Sequence, residues 1–186
     1  MTATNDGITE ADAWKKWHEI APLIDRMMHR VGIENGFPVM PGSALAGDDT
    51  AASPYQVSHA FRLCLTAGVD HLHAAKVLVV DNRIIHIAAP ASLARGALEN
   101  FAAAYWMLGP KKRDGRVSHA LKWHAQNVRD AERALGAKNL PGLKPLATRL
   151  AKLEAVAAKR GLDTKEIRRG YTSTATVARP WWRDDG

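Results

Sequence analysis

The sequence predicts an all-α protein: an antiparallel helical bundle with an N-terminal amphipathic helix and an irregular basic C-terminal arm. Three observations lead there. Alanine is abundant while Val, Ile and aromatics are sparse, which favours helix over strand. Apolar residues recur at spacings of three and four in several windows. Residues 92–108, SLARGALENFAAAYWML, are apolar on almost every side, the signature of a helix in the middle of a bundle. Everything else is expected to pack around this segment.

The 186 residues suit one domain with arms, and an apolar share of 46% against 24% charged supports a core. Three regions are expected: an N-terminal helix and linker over 1–52, a bundle core over 53–162 and a basic aromatic arm over 163–186. No apolar run approaches the roughly 18 uninterrupted residues of a membrane span, so no membrane partner is expected. The N-terminus lacks the basic start and apolar run of a signal peptide. A single cysteine, Cys64, leaves no intramolecular disulfide, and a reducing cytoplasm is the expected location.

Thr9, with Asp12 three positions on, opens the first helix with a near capping box. Trp14, Trp17, Ala21, Ile24, Met28 and Val31 then form a seam sized for another helix, either in this chain or in a second subunit or protein partner. Residues 32–53 collect Gly, Pro, Asp and Ser and are expected as an irregular linker. Ser53 and Pro54 predict the start of a second helix reaching about residue 80. Phe61, Leu65, Val69, Leu72 and Val79 are its buried stripe. His59, Arg62, Thr66, Asp70 and His73 form a polar edge beside it.

After the central segment comes a basic connection over 109–116, then a helix with Val117, Leu121, His124, Val128, Ala131 and Leu135 inward. Gly136 and the Pro-Gly pair at 141–142 end it. Another helix spans about 144–160, with Leu146, Leu150, Leu153 and Val156 inward and Gly161 as its stop. A helical turn is expected over 164–169.

No metal or other cofactor is expected. No HExxH or CxxC pattern occurs, and His59 and His73 stand about 21 Å apart along their helix, too far to share an ion. Cys64 fits a small core residue. Arg95 and Glu99 share a face of the central helix and form either a buried strut or a site that aims a guanidinium at an anion.

Charge is divided unevenly. Residues 1–109 carry 8 Lys and Arg against 11 Asp and Glu, while residues 110–186 carry 18 against 8. A basic half of this kind suits a polyanion, nucleic acid being the commonest. Lys111, Lys112, Arg113 and Arg116 crowd the start of a helix, where they oppose the macrodipole, and a bound phosphate would resolve that conflict. Farther on, Arg168, Arg169, Arg179 and Arg183 are interleaved with Tyr171, Trp181 and Trp182. That pattern suits a single strand, with charge along its backbone and stacking on its bases, or else an arm whose tryptophans dock back on protein.

Arg113 and Asp114, followed by His119, resemble the Arg-polar-His signature of the HEPN family of small helical domains, many of them RNA-cleaving toxins and defence effectors. The resemblance covers about residues 54–136. It implies metal-independent RNA cleavage, with His119 as acid and base and Arg113 steadying the charge on the phosphorane. It also implies a homodimer that brings two motifs together, with His119, Trp123, Gln126 and Asp130 on the interface. The alternative is a non-catalytic module that binds nucleic acid or a partner protein through its basic half.

Overall fold

The computed structural model describes residues 9–34, 36–84, 86–135 and 144–172. They form an all-α bundle: α1 (Glu10–Gly32), α2 (Ala44–Ala52), α3 (Val57–Lys76), α4 (Ala89–Leu108), α5 (Arg113–Leu135), α6 (Leu146–Ala158) and α7 (Thr164–Arg169). A π-helical turn, Val77–Asp81, extends α3. No strand occurs among the described residues. The chain divides into two compact units, and α3 and α4 contribute to both.

The first unit joins α1 to Thr66–Leu98. Thr9 caps α1 as a full capping box: its hydroxyl accepts from Asp12 N at 3.2 Å and its own N donates to the Asp12 carboxylate at 3.1 Å. Ala21 and Ile24 of the predicted seam are buried, and Trp14, Trp17, Met28 and Val31 are half-buried. Val69, Ala75, Val79 and Ala97 are buried in the same unit. Lys76 Nζ lies 2.9 Å from both Asp25 of α1 and Asp81. Hydrogen bonds to those two carboxylates raise the proton affinity of its ammonium. The seam therefore docks within the chain.

The second unit comprises Pro38–Leu65 and the chain from Glu99 onward. Its hub is α5, which packs against α2, α6 and α7. Val117, Ala120, Leu121 and Ala125 of α5 meet Val57, Ala60 and Cys64 of α3, Ala103, Ala104 and Met107 of α4, and Leu150, Leu153 and Ala157 of α6. Fully burying a side chain such as Met107, Leu121, Leu153 or Ile167 contributes about 1.5–3 kcal/mol each. α6 stops where Gly161 takes φ +68°, and Leu162 N donates back to Ala157 O at 3.0 Å.

Three expectations are corrected. The linker over 32–53 contains α2, opened by Ser43, whose hydroxyl accepts from Ala46 N at 3.2 Å. Ser53 and Pro54 do not open a helix. They follow α2 in a turn, and α3 starts at Val57 with Ser58 N donating to Asp49 Oδ1 at 2.8 Å and Ser58 Oγ to Asp49 Oδ2 at 2.6 Å. The cap of α3 is thus a carboxylate on the preceding helix.

Third, the segment 92–108 is not buried all round. Ala94, Arg95, Leu98 and Tyr105 are exposed, and α5 takes the central place in the second unit. An alanine-rich helix looks uniformly apolar, yet each alanine has little surface to bury, so composition overstates the need for cover. In the C-terminal arm the expected helical turn is present. α7 forms as predicted over 164–169, capped by Asp163, and Ile167 and Tyr171 are buried in the core.

By length and hydropathy the span Val57–Asp81 is apolar enough to cross a bilayer. In the bundle it supplies Val57, Ala60, Cys64, Val69 and Val79 to buried positions, while His59, Thr66 and Asp70 lie on an exposed edge. Of the predicted stripe, Phe61, Leu65 and Leu72 are only half-buried.

Candidate nucleic-acid interface

Arg113 is the first residue of α5, so the whole run from Arg113 to His119 is helical. The expected connection ends earlier than predicted because a non-local contact fixes this first turn. Asp48 of α2, fully buried, accepts from Arg116 Nε at 2.6 Å and Nη2 at 3.0 Å, a bidentate pair. Arg116 Nη1 donates to the carbonyls of Pro110 at 2.9 Å and Lys111 at 3.0 Å. The hydrogen bond to Asp48 is the main cause of a raised Arg116 proton affinity.

Arg113 Nε lies 3.4 Å from the same carboxylate. Its guanidinium rests on α2 at Gly47, where a Cβ would fall 2.3 Å from Nη2. The conflict between cations and the helix dipole is therefore answered by a buried carboxylate of this chain. Arg116 is spent on structure.

His119 is half-buried. Its ring stacks on Trp106 at 3.8 Å between centroids and 9° between planes, and Nδ1 lies 2.7 Å from the Trp106 carbonyl oxygen. A carbonyl can only accept, so Nδ1 carries the proton. Six residues of helix put Arg113 and His119 about 9 Å apart along the axis and about 240° apart around it. Within one chain they do not converge. Trp123, expected outward, packs against the core of its own unit.

The remaining basic positions divide into committed and uncommitted groups. Arg168 pairs with Glu154, which raises its proton affinity, and Arg169 Nη1 lies 2.7 Å from Glu166. Arg129 Nη1 donates to the Arg169 carbonyl at 3.1 Å. Trp181, Trp182, Arg179 and Arg183 lie outside the described residues. Arg95 is exposed and Glu99 half-buried, so that pair is not a buried strut. Lys111 and Lys112 are exposed.

Sequence reasoning missed the outer face of α6. Arg149 and Lys152 of α6 and Lys159, its C-cap, fall within one arc of about 80° over about 15 Å, and Lys144, ahead of the Pro145 N-cap, lies beside Lys152. The lysines are exposed, and no ion pair ties Lys144, Arg149 or Lys152 to a carboxylate among the described residues. The only acid of α6, Glu154, lies on another side and holds Arg168. Lys144 lowers the proton affinity of Lys152, first by hydrogen bonding and then by charge repulsion. The Asp114–Arg160 ion pair sets the start of α5, with Lys111 and Lys112, beside the end of α6 that carries Lys159. The signal lay in the sequence as cations at 144, 149, 152 and 159, but only the pairing of the other arginines makes it distinctive.

No group of three or more His, Cys, Asp or Glu side chains that could hold a metal ion occurs among the described residues. Comparison of the chain with protein-family models, curated proteins and solved structures finds no match.

Proposed function

We infer that this chain is an RNA-binding helical module that holds a strand electrostatically through Arg149 and Lys152 on α6 and Lys144 and Lys159 at its two ends, with Lys111 and Lys112 beyond them. The observation that carries the reading is a run of four cations along α6 and its two ends, two of them within the helix, on a side that holds no carboxylate of α6. Elsewhere in the same unit Arg113, Arg116, Arg160, Arg168 and Arg169 are each bound to an acid. Uncompensated positive charge of this kind favours binding of a polyanion by counterion release.

Binding of a single-stranded oligoribonucleotide across a salt series tests it. The Lys144→Gln, Lys152→Gln double variant should weaken binding and flatten the slope of log K against log salt by about 1.4, from roughly 0.7 per strand phosphate contact. Binding that ignores salt, or is unchanged in the double variant, removes the reading.

A second reading is HEPN-like, metal-independent RNA cleavage in a cytoplasmic homodimer. It draws on the Trp106 carbonyl, which fixes the tautomer and direction of the His119 ring as an acid–base group requires. In a dimer, Arg113 and His119 need not meet within one chain. Cleavage by the wild type in the presence of a chelator, lost in Arg113→Ala and His119→Ala, would support this reading. Equal cleavage by all three proteins, or none by any, would remove it and leave the binding module.

A further inference from the structure

On adjoining helices of the second unit, His124 Nε2 of α5 and Arg149 Nη1 of α6 are buried without a hydrogen-bond partner. Both lie in the neighbourhood of Tyr55. The Tyr55 and His124 rings are 5.4 Å apart, and the Arg149 charge reaches the Tyr55 hydroxyl, whose proton affinity is raised by burial and pulled back by that guanidinium. In the same unit the buried Asp48 is satisfied by Arg116 and the buried Ser58 by Asp49. Arginine stays charged in proteins, and a buried guanidinium nitrogen without an acceptor is costly. The acids that could serve are committed: Glu154 to Arg168, and Asp49 to Ser58.

A guanidinium N–H, an imidazole nitrogen able to carry a proton and a phenol, with no carboxylate among them, suit an oxyanion. A cation would be repelled. We propose that Arg149 Nη1, His124 Nε2 and the Tyr55 hydroxyl form a seat for one phosphate group at the edge of the basic face of α6. A phosphate accepts from all three at once and neutralises the guanidinium. The group can come from a nucleic-acid strand, in which case the seat deepens the RNA-binding reading, or from a free phosphate compound, in which case it stands without that reading.

Thermal melting with inorganic phosphate, against chloride at equal ionic strength, reads the seat directly. A saturable rise is expected in the wild type, with the apparent dissociation constant about ten- to a hundredfold weaker in Arg149→Gln. In 15N-histidine-labelled wild type, phosphate should shift the His124 Nε2 resonance, a reading that needs no variant to fold. No saturable rise beyond chloride, or a His124 resonance that phosphate leaves in place, overturns the proposal.

Oligoribonucleotides of one sequence, with a 5′-phosphate or a 5′-hydroxyl, then identify the source. Tighter binding of the phosphorylated strand, lost in Arg149→Gln, assigns the strand end. Equal binding that Arg149→Gln weakens assigns an internal phosphate, and equal binding that it leaves unchanged assigns a free phosphate compound. The Lys144→Gln, Lys152→Gln variant separates the two proposals. If only the strand interface is wrong, strand binding fails to respond to it while inorganic phosphate still saturates the seat.

Discussion

The Asp48 carboxylate on α2 receives two hydrogen bonds from Arg116 on α5, 68 residues later in the chain, and is itself sealed from solvent. This pair fastens α2 to α5, the hub of the second unit. Removing one partner leaves the other charge stranded in the core. Asp48→Ala should therefore cost about 3–5 kcal/mol in urea unfolding. Arg116→Lys should also destabilise, because one ammonium cannot replace a bidentate fork. A loss below about 1 kcal/mol in Asp48→Ala would mean the pair is not the fastener.

Asp49, the next residue, caps α3 through Ser58. A carboxylate at a helix N-terminus both accepts orphan N–H groups and complements the dipole. Asp49→Ala should cost about 1–2 kcal/mol, in the range of other lost N-caps. Ser58→Ala removes only the hydroxyl bond, so a double-mutant cycle should show coupling between the two positions. Additive effects would place the stabilisation elsewhere.

His124 links stability to pH. Burial first, and the nearby His59 second, push its proton affinity down to a pKa of about 4 from an ordinary 6.5. Between these values the unfolded chain binds a proton that the folded chain refuses. The stabilisation is complete above about pH 6.5 and is lost progressively as pH falls to about 4. Its full size is on the order of 3 kcal/mol. Urea midpoints should fall over this window in the wild type and fall less in His124→Gln. A wild type whose stability is flat from pH 6.5 to 4.5 would contradict this.

Cys64 is buried on α3, and desolvation raises its thiol to a pKa of about 12. A thiolate is the reactive form, so the folded protein should resist alkylation and disulfide exchange at pH 8. Labelling should appear only with denaturant and follow the unfolding curve. Prompt labelling of the native protein would show that α3 opens locally.

The helices most visible in the sequence are those whose signals are local. Thr9 with Asp12, the three-and-four seam of α1, the Leu150 and Leu153 positions of α6, its Gly161 stop and the short α7 all lie within a turn or two of the residues that specify them. α2 was illegible for the same reason reversed. Gly47, Asp48, Asp49 and Thr50 carry weak helix preferences, and the contacts that compensate, to Arg116 and to Ser58, come from elsewhere in the chain.

The candidate site follows that division. The sequence alone determined an all-α fold, the course of its strongly periodic helices and a basic second half, because periodicity, capping and net charge are properties of neighbouring residues. Only the tertiary structure decided which cations are spoken for. Arg113 and Arg116 are drawn to Asp48, Arg168 to Glu154 and Arg169 to Glu166, while Arg149 and Lys152 on α6, and Lys144 just ahead of it, are left without an acid among the described residues. Charge availability depends on which side chains meet in space, and that is set by the packing of α2, α6 and α7 around α5.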